Sequence, residues 1–335
     1  MQNILPIFAH KSRNVMDVFF FEAFEEEAES LKHYLKDQAQ AGYSWKSIQE
    51  YGAEDPPAPI ISVRTQSAIP QAWAPKLKAI ISRSTGYDHL RDYLAQTGGE
   101  LPCGYLPLYC HRSVAEQGLL MMMSLARRVF KQVDHFNTFL RDNLTGSELE
   151  GKTLLVAGVG NIGYEMVKIG KGLNMKVLGV DLYENKEDVT YVTIEEGLAQ
   201  ADYCVCAMDL TDDNRGYFDE SLLRKAKKGM IFVNVSRGEL SPSSTLLKLL
   251  EEGQLGGVGL DVYNEEKNLA KALRENGPKD HPEVQAVLTL MKHPKAICTP
   301  HNAFNTEESV ARKSEQSIQQ LLHFMQKGEF IWQAN

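Results

Sequence analysis

The chain has 335 residues, a length that favours two domains over one, and its 43 % hydrophobic and 24 % charged residues are typical of a globular protein. With 36 lysines and arginines against 44 aspartates and glutamates, the formal net charge is −8, which argues against nucleic acid or an anionic membrane surface as the main partner. The longest apolar runs, residues 18–21 and 118–123, are far shorter than the roughly 20 residues that span a bilayer, and the first residues do not have the pattern of a signal peptide.

The cysteines are few and scattered along the chain. Five is an odd number and they form no disulfide framework, so we predict a reducing, cytoplasmic compartment. Cys204 and Cys206 share one face of a predicted strand. Without a second cysteine pair or nearby histidines they indicate core packing, and no metal site is expected.

The first hundred residues alternate between predicted strands and helices. Strands are predicted at residues 3–9, 59–64 and 78–83. A helix with an acidic first turn is predicted over residues 21–35, and a broken helix over residues 70–77. Such an alternation implies a parallel sheet covered by helices.

A long helix is predicted over residues 113–136. Ser113 would cap its N-terminus, and Glu116, three residues later, would complete a capping box. Three consecutive methionines at residues 121–123 fit a wide apolar face packed on a sheet. Residues 143–151 have the turn-rich composition of a loop.

A second alternation follows this loop. Strands are predicted at residues 153–158, 176–181, 202–207, 230–235, 257–261 and 295–299. Helices are predicted between them, up to about residue 173 and then at residues 193–199, 219–227 and 242–252. Six strands with helical crossovers predict a doubly wound parallel sheet of the dinucleotide-binding (Rossmann) kind.

Residues 158–163 have the pattern G-x-G-x-x-G between a predicted strand and a predicted helix, the context that dinucleotide binding requires. Gly158 permits a tight turn, Gly160 lets the backbone approach a pyrophosphate, and Gly163 lets the helix pack on the strand. The N–H groups of the turn and the helix dipole attract phosphates. The predicted cofactor contacts here are Gly158, Gly160, Asn161, Ile162 and Gly163.

Asp181 ends the next predicted strand, near the spacing of about 20 residues at which a carboxylate binds the adenosine ribose. A carboxylate there accepts hydrogen bonds from the ribose hydroxyls and repels a 2′-phosphate. No Arg or Lys directly follows it, so the sequence predicts NAD rather than NADP. A cap on the next element is the alternative role of this aspartate.

Three later segments, Val233–Gly238, Gly259–Glu266 and Thr299–Thr306, matter together with the glycine turn. With the turn at Arg83–His89 and the helix start at Ser113–Glu116, they resemble the NAD-dependent D-2-hydroxyacid dehydrogenase family. The resemblance extends over nearly the whole chain, and its motifs occur in the family's order.

The resemblance implies a Rossmann NAD-binding domain inserted into a smaller, flavodoxin-like α/β substrate domain. Residues 113–302 would form the NAD-binding domain, and residues 1–112 with 303–335 the substrate domain. We expect the active site in a cleft between the domains, from which hinge closure excludes water before hydride transfer.

By the same resemblance, Arg237, Glu266 and His301 are the catalytic residues. Reduction of a 2-oxo acid needs a hydride at the keto carbon and a proton at its oxygen, and histidine exchanges protons near neutral pH. Glu266 would orient the imidazole, while the planar fork of Arg237 would bind the substrate carboxylate. All three follow predicted strands, at the sheet edge where ligands bind.

The resemblance also implies further contacts, which rest on less specific motifs. The further cofactor contacts would be Ser236 and Asp261. The substrate contacts would be Arg64, Thr85, Gly86 and Tyr109. A strand-end cap is the alternative role of Asp261, and a packed loop aromatic is that of Tyr109.

The insertion at residues 268–295 and the Lys267 that follows Glu266 resemble the D-lactate dehydrogenase branch, so pyruvate and D-lactate are the leading substrate pair. Asp209 departs from the family pattern, which usually has proline there. Cys110–Arg112 also departs from the branch, and its basic pair would favour a larger or more acidic substrate unless it faces solvent.

Several alternatives stay open at this point. Within the family they are glyoxylate or hydroxypyruvate reductase and phosphoglycerate dehydrogenase. An alternative of another class is an NAD-sensing, corepressor-like binding protein on the same fold. A homodimer is expected, since dimers are common among soluble enzymes.

Overall fold

The computed structural model describes residues 16–274 and 277–334. The chain divides into two compact units. Met1–Tyr109 and Val310–Asn335 form the first unit, and Cys110–Ser309 forms the second.

The first unit contains a five-stranded parallel sheet. Its strands are β1 (Val18–Phe20), β2 (Ala41–Tyr43), β3 (Ile60–Val63), β4 (Ala79–Ser82) and β5 (Cys103–Gly104). The order β2-β1-β3-β4-β5 is that of flavodoxin-like folds, as predicted. β3 and β4 are the strands predicted at residues 59–64 and 78–83, and β1 is a strand that the sequence indicated only as an apolar run. The strand predicted at residues 3–9 lies outside the described residues.

The second unit contains a seven-stranded parallel sheet. Its strands are β6 (Thr153–Ala157), β7 (Lys176–Val180), β8 (Thr190–Tyr191), β9 (Tyr203–Cys206), β10 (Met230–Asn234), β11 (Leu255–Leu260) and β12 (Ala296–Cys298). The order β12-β11-β10-β9-β6-β7-β8 is the doubly wound Rossmann order, as predicted. All six predicted strands form. The additional strand, β8, is a two-residue edge strand and is too short to produce a sequence pattern.

Helices cover the sheets. They are α1 (Glu25–Leu35), α2 (Ile48–Tyr51), α3 (Asp88–Thr97), α4 (His111–Arg127), α5 (Val129–His135), α6 (Asn161–Gly172), α7 (Ile194–Gln200), α8 (Glu220–Leu223), α9 (Ser243–Glu251), α10 (Glu266–Arg274), α11 (Pro282–Leu290) and α12 (Glu307–Lys327). The broken helix expected at residues 70–77 is a 3₁₀ helix, Gln71–Lys76, with Pro75 inside it. In the part of the chain that the structure describes, no helix combines the length and the apolar character needed to cross a bilayer.

The start of α4 corrects the predicted cap at Ser113. The helix begins at His111 with Cys110 as its N-cap residue, and Ser113 lies inside the first turn, where its hydroxyl donates to the Cys110 carbonyl at 2.9 Å. The predicted helix over residues 113–136 is also interrupted. Arg128 adopts a left-handed conformation with φ of 53°, which ends α4 and separates it from α5.

The second junction between the units lies further along the chain than residue 303. The amide of Ala303 donates to Asp261 at 2.8 Å, and the hydroxyl of Ser309 donates to that of Ser113 at 2.9 Å. The hydroxyl of Ser113 also donates to the Phe304 carbonyl at 3.3 Å. These contacts tie the segment after β12 to the second unit.

The interior of the second sheet contains the cysteine pair of β9. Cys204 and Cys206 are fully buried in one apolar cluster with Leu155, Phe232 and Val258. Burial raises the pKa of the Cys206 thiol to about 11 and that of Cys204 also rises. Both thiols are therefore inert core residues, as predicted.

Candidate active site

Three loops with polar side chains leave adjacent strands at one edge of the second sheet. β10, β11 and β12 are parallel neighbours, so their carboxyl ends lie side by side. Arg237 follows β10, Glu266 follows β11, and His301 follows β12. Open α/β sheets bind ligands at this edge.

His301 and Glu266 form a hydrogen-bonded pair. Nδ1 of the imidazole lies 2.9 Å from both carboxylate oxygens, and the two side chains are 20 % and 23 % exposed. Donation from Nδ1 to the carboxylate leaves Nε2 as the nitrogen that can exchange a proton with a reacting group. The pair therefore has the geometry of an oriented acid or base.

The backbone around this pair is strained. His301 has φ of 52° and Glu265 has φ of 61°, both in the left-handed region that non-glycine residues rarely occupy. Each such residue costs about 1–2 kcal/mol, and the surrounding contacts must offset that cost. Strain of this kind concentrates at functional sites.

Asp261 holds the loop of His301 in place. Its buried carboxylate accepts hydrogen bonds from Thr299 Oγ1 at 2.5 Å, the Asn302 amide at 2.9 Å and the Ala303 amide at 2.8 Å. Burial raises the pKa of the Asp261 carboxyl, while these hydrogen bonds oppose the rise. Asp261 thus serves as a loop brace, close to the strand-end cap considered above. Its predicted cofactor contact remains a prediction.

Asn234, at the end of β10, organises the loop of Arg237. Its buried amide group donates to the Arg237 carbonyl and to Ser241 Oγ, and its Oδ1 accepts from the amide and hydroxyl of Ser236 at 3.0 Å. A Cβ on Gly238 would lie only 1.9 Å from the carbonyl carbon of Tyr263. The β10 loop therefore packs directly on the β11 loop.

The glycine turn divides into two structural glycines and one open position. Gly158 has φ of 88°, and a Cβ there would lie 2.6 Å from the Met208 nitrogen, while one on Gly163 would lie 1.8 Å from the Gly158 oxygen. A Cβ on Gly160 would meet nothing within 4 Å. Gly160 and Asn161 are exposed, and no side chain caps α6. The open N-terminus of this helix suits a phosphate group.

Asp181 braces the same turn. Its carboxylate accepts hydrogen bonds from the Val159 amide at 2.6 Å through Oδ2 and from the Tyr183 amide at 2.9 Å through Oδ1. Each oxygen retains acceptor capacity, since an ionised carboxylate offers about four lone-pair sites. The capping role and the predicted ribose contact are therefore compatible.

The predicted substrate residues all belong to the first unit. Gly86 accepts a hydrogen bond at its carbonyl from Ser84 Oγ at 2.8 Å, and Thr85 is half-buried beside it. Tyr109 is buried. The guanidinium of Arg64 lies 5.6 Å from the centre of the Phe24 ring. Their predicted contacts with substrate remain predictions.

The two departures from the family pattern have separate outcomes. Arg112 is largely exposed and forms an ion pair with Glu116 at 2.6 Å, which agrees with the solvent-facing interpretation for this residue, whereas His111 is half-buried. Asp209 accepts a hydrogen bond at its carbonyl from Asn214 Nδ2 at 2.8 Å, within a local polar turn.

Sequence reasoning missed Asn234, Gly238 and Thr299 as parts of this site. Each is a positioning residue at or just after a strand end, and each lies within a segment that carried the family resemblance. The available signal was a buried polar residue closing an apolar strand, as at Asn234. Such a side chain must find hydrogen-bond partners in the following loop.

Comparisons with known proteins agree with this geometry. Residues 119–303 match the family model of the D-isomer specific 2-hydroxyacid dehydrogenase NAD-binding domain. The aromatic 2-oxoacid reductase of Clostridium sporogenes is 30 % identical over 259 residues, 75 % of this chain and 77 % of that protein. The D-lactate dehydrogenase of Escherichia coli is 30 % identical over 259 residues, 76 % of this chain and 77 % of that protein.

A solved structure is similar to this chain over most of the length of both proteins. The D-lactate dehydrogenase from Aquifex aeolicus, complexed with NAD and lactic acid, superposes with a TM-score of 0.82 at 26 % identity. The superposition covers 94 % of this chain and 99 % of that chain.

Proposed function

Because the chain belongs to the D-isomer-specific 2-hydroxyacid dehydrogenases, which are NAD-dependent oxidoreductases, we propose that it reduces pyruvate to D-lactate. The observation that carries this proposal is the hydrogen bond between His301 and Glu266 at the ligand-binding edge of the second sheet. A protein that only senses NAD has no need of an oriented proton donor. Similarity to several D-lactate dehydrogenases favours pyruvate among the small 2-oxo acids.

His301 supplies the proton in this reaction. Its protonated imidazole donates from Nε2 to the keto oxygen during reduction, and the neutral ring accepts that proton in the reverse direction. Glu266 holds Nδ1 and keeps the ring oriented. Arg237 binds the substrate carboxylate with its planar fork and polarises the keto oxygen.

The glycine turn fits NAD. The open position at Gly160 and the amides of Asn161 and Ile162 would hold the pyrophosphate, and Asp181 would bind the adenosine ribose. Ser236 and Asp261 would lie nearer the nicotinamide. When bound, NADH would donate the hydride for reduction, and NAD⁺ would accept it in the reverse direction.

The first unit supplies the remaining substrate contacts in this proposal. The amides of Thr85 and Gly86 would bind the substrate carboxylate, and Tyr109 and Arg64 would line the pocket. The second unit would be the NAD-binding domain, predicted as residues 113–302, and the first unit the substrate domain, predicted as residues 1–112 with 303–335. In this proposal the second domain junction follows Ser309 instead of residue 302.

The test is a screen of NADH oxidation, followed by absorbance, with the purified chain. Pyruvate, glyoxylate, hydroxypyruvate, its 3-phosphate, phenylpyruvate and branched 2-oxo acids form the panel. We expect the highest kcat/KM with pyruvate, a D-configured product, and a preference for NADH over NADPH. NADH binding without turnover of any 2-oxo acid would support the corepressor-like alternative instead.

Aromatic 2-oxo acids are a second candidate substrate class. The aromatic 2-oxoacid reductase of C. sporogenes matches this chain at the same 30 % identity as the D-lactate dehydrogenase of E. coli. One or two pocket side chains decide between such substrates, since a methylene contributes about 1–3 kcal/mol to selectivity. A higher kcat/KM with phenylpyruvate than with pyruvate would select this class.

We also propose a homodimer, supported by an exposed apolar strip on α4, α5 and the following turn. Phe130, Val133 and Phe136 are 61 %, 66 % and 74 % exposed. The exposed ring of Phe139 lies 6.3 Å from that of Phe136, and Leu120 of α4 is also exposed. Exposed aromatic patches of this kind mark protein interfaces. Light scattering should report a dimer for the wild type and a monomer for Phe136→Glu. A monomeric wild type would contradict the proposal.

The proposed compartment is the cytoplasm. Cys103, Cys204 and Cys206 are buried free thiols, which suits a reducing environment. Cell fractionation tests this location directly.

A further inference from the structure

The first unit contains a buried cluster of charged side chains that the proposed mechanism does not use. Glu27 of α1 is at its centre, because Arg83 Nε and Lys313 Nζ both contact its Oε1, at 2.8 and 3.0 Å. The side chains of Arg83, Lys313 and Glu27 are 0 %, 1 % and 3 % exposed. Buried charges persist only when they are paired, so each member of this cluster depends on the others.

Arg83 connects the cluster to the turn predicted to bind the substrate carboxylate. Arg83 precedes the turn at residues 84–88, and its guanidinium also donates to Ser62 Oγ at 2.9 Å and to the Phe21 carbonyl at 2.6 Å. With the contact to Glu27, these bonds anchor the residue that precedes the turn in the core. The position of the turn therefore depends on Glu27.

Lys313 connects the cluster to Tyr109, the tyrosine predicted to line the substrate pocket. Lys313 Nζ lies 5.9 Å from the centre of the Tyr109 ring, a cation–π distance. The neighbouring Arg312 donates from Nε to the Tyr109 carbonyl at 2.9 Å. Adjacent residues of α12 thus hold both the ring and the backbone of this tyrosine.

Lys313 is the member of the cluster whose charge changes most easily. Burial lowers the pKa of Lys313 to about 7, and Arg64 and Arg83 act with burial against the opposing effect of Glu27. Burial alone would raise the pKa of Glu27, but Lys313, Arg83 and Arg64 bring it to about 2. Near neutral pH the carboxylate stays charged while the lysine loses its proton.

We propose that Lys313 is a positioning residue whose charge controls how tightly the first unit holds an anionic substrate. Arg83 alone balances the charge of Glu27, so a protonated Lys313 adds one positive charge, which attracts the Tyr109 ring. When Lys313 is neutral, this positive charge beside Tyr109 is lost, and the affinity for an anionic substrate falls. The charged groups that act on the pKa of Lys313 include Glu27 from α1, Arg83 after β4 and Arg64 after β3.

This inference rests on the proposed function, since it assumes that Tyr109 and the turn at residues 84–88 contact a 2-oxo acid. The proposed effect of Lys313 can be separated from that of His301, because Lys313 would change KM whereas His301 would change the rate of proton transfer. The contribution of His301 to any pH profile is common to all variants of Lys313, so only differences between the variants are compared.

The experiment measures KM and kcat for pyruvate from about pH 6 to about pH 9 in the wild type, Lys313→Arg and Lys313→Met. Lys327→Met, at the exposed end of the same helix, is the matched control. We expect KM of the wild type and the control to rise about fivefold through neutral pH, the effect of one partly screened charge. Lys313→Arg should keep the low KM throughout, and Lys313→Met the high KM throughout, with kcat nearly unchanged.

The same KM rise in Lys313→Arg as in the wild type would overturn the inference, even if the methionine variant does not fold. A readout independent of activity is the melting temperature. Since the folded-state pKa lies below that of an exposed lysine, the stability of the wild type relative to Lys313→Arg should increase as pH rises above about 7. A pH-independent difference would also overturn the inference. If no 2-oxo acid is reduced while this difference changes as expected, the proposed function fails but the titration of Lys313 stands.

Discussion

Each unit contains a carboxylate that contacts basic side chains, but the two groups of side chains differ in their exposure to solvent. His301 and Glu266 in the second unit are about one-fifth exposed, at the open edge of a sheet. Glu27, Arg83 and Lys313 in the first unit are almost completely buried. A partly exposed pair can exchange a proton with a ligand, whereas a buried cluster acts only through the residues that it holds in place. Exposure therefore separates a candidate catalytic pair from a positioning cluster of similar chemistry.

The largest expected effect is the loss of catalysis in His301→Ala. Without the imidazole the proposed proton donor is lost, so kcat for reduction should fall by roughly 10²- to 10⁴-fold. Steady-state NADH oxidation measures this, with His33→Ala, an exposed histidine of α1, as the control. Turnover near that of the wild type would remove His301 from the proton-transfer role.

The next effect is a loss of stability in Glu27→Gln. Removing the carboxylate leaves Arg83 and Lys313 buried without it, which should lower the free energy of unfolding by about 3–5 kcal/mol. Urea denaturation measures this, with the exposed Glu29→Gln on the same helix as the control. An unchanged midpoint would show that the buried cluster does not stabilise the first unit.

The pH dependence of that loss follows from the lowered pKa of Glu27, about 2 against its ordinary 4.5. A depressed carboxyl pKa contributes stability that is fully present above pH 4.5 and is lost as pH falls toward 2. The difference between the wild type and Glu27→Gln should therefore shrink in acid.

The smallest of the three effects belongs to Glu266→Gln, the same substitution in the exposed pair. The orienting partner of His301 is weakened, so kcat should fall by roughly a hundredfold, the lower end of the contribution of general acid–base catalysis. The free energy of unfolding should change by less than about 1 kcal/mol, because partly exposed pairs contribute little to stability. Glu251→Gln at the exposed end of α9 is the control. A stability loss as large as that of Glu27→Gln would break the distinction between the two regions.

Sequence patterns predicted most of the second unit because its elements are long and its glycines have strict positions. Apolar runs at residues 153–158 and 230–235 form β6 and β10, and the G-x-G-x-x-G turn falls between β6 and α6. Gly158 and Gly163 occupy positions that a side chain cannot enter. Steric requirements of this kind are visible in a single sequence.

The first unit was less predictable. β1, β2 and β5 have three, three and two residues, too few for a periodic pattern. In the second unit, the predicted cap at Ser113 was wrong because a capping-box pattern also occurs inside a first turn, where the serine donates to the Cys110 carbonyl. Local patterns fail where neighbouring chain segments decide which residue starts a helix.

The sequence by itself determined the two parallel sheets and the dinucleotide turn, because these depend on local periodicity and on motifs of fixed spacing. Its resemblance to the family gave Arg237, Glu266 and His301 as candidate catalytic residues. Only the tertiary structure decided that Asp261 braces the loop of His301 and that Glu27 joins α1, β4 and α12 in one buried cluster. Such contacts join residues far apart in the chain, and their energies depend on burial, which no single segment of sequence specifies.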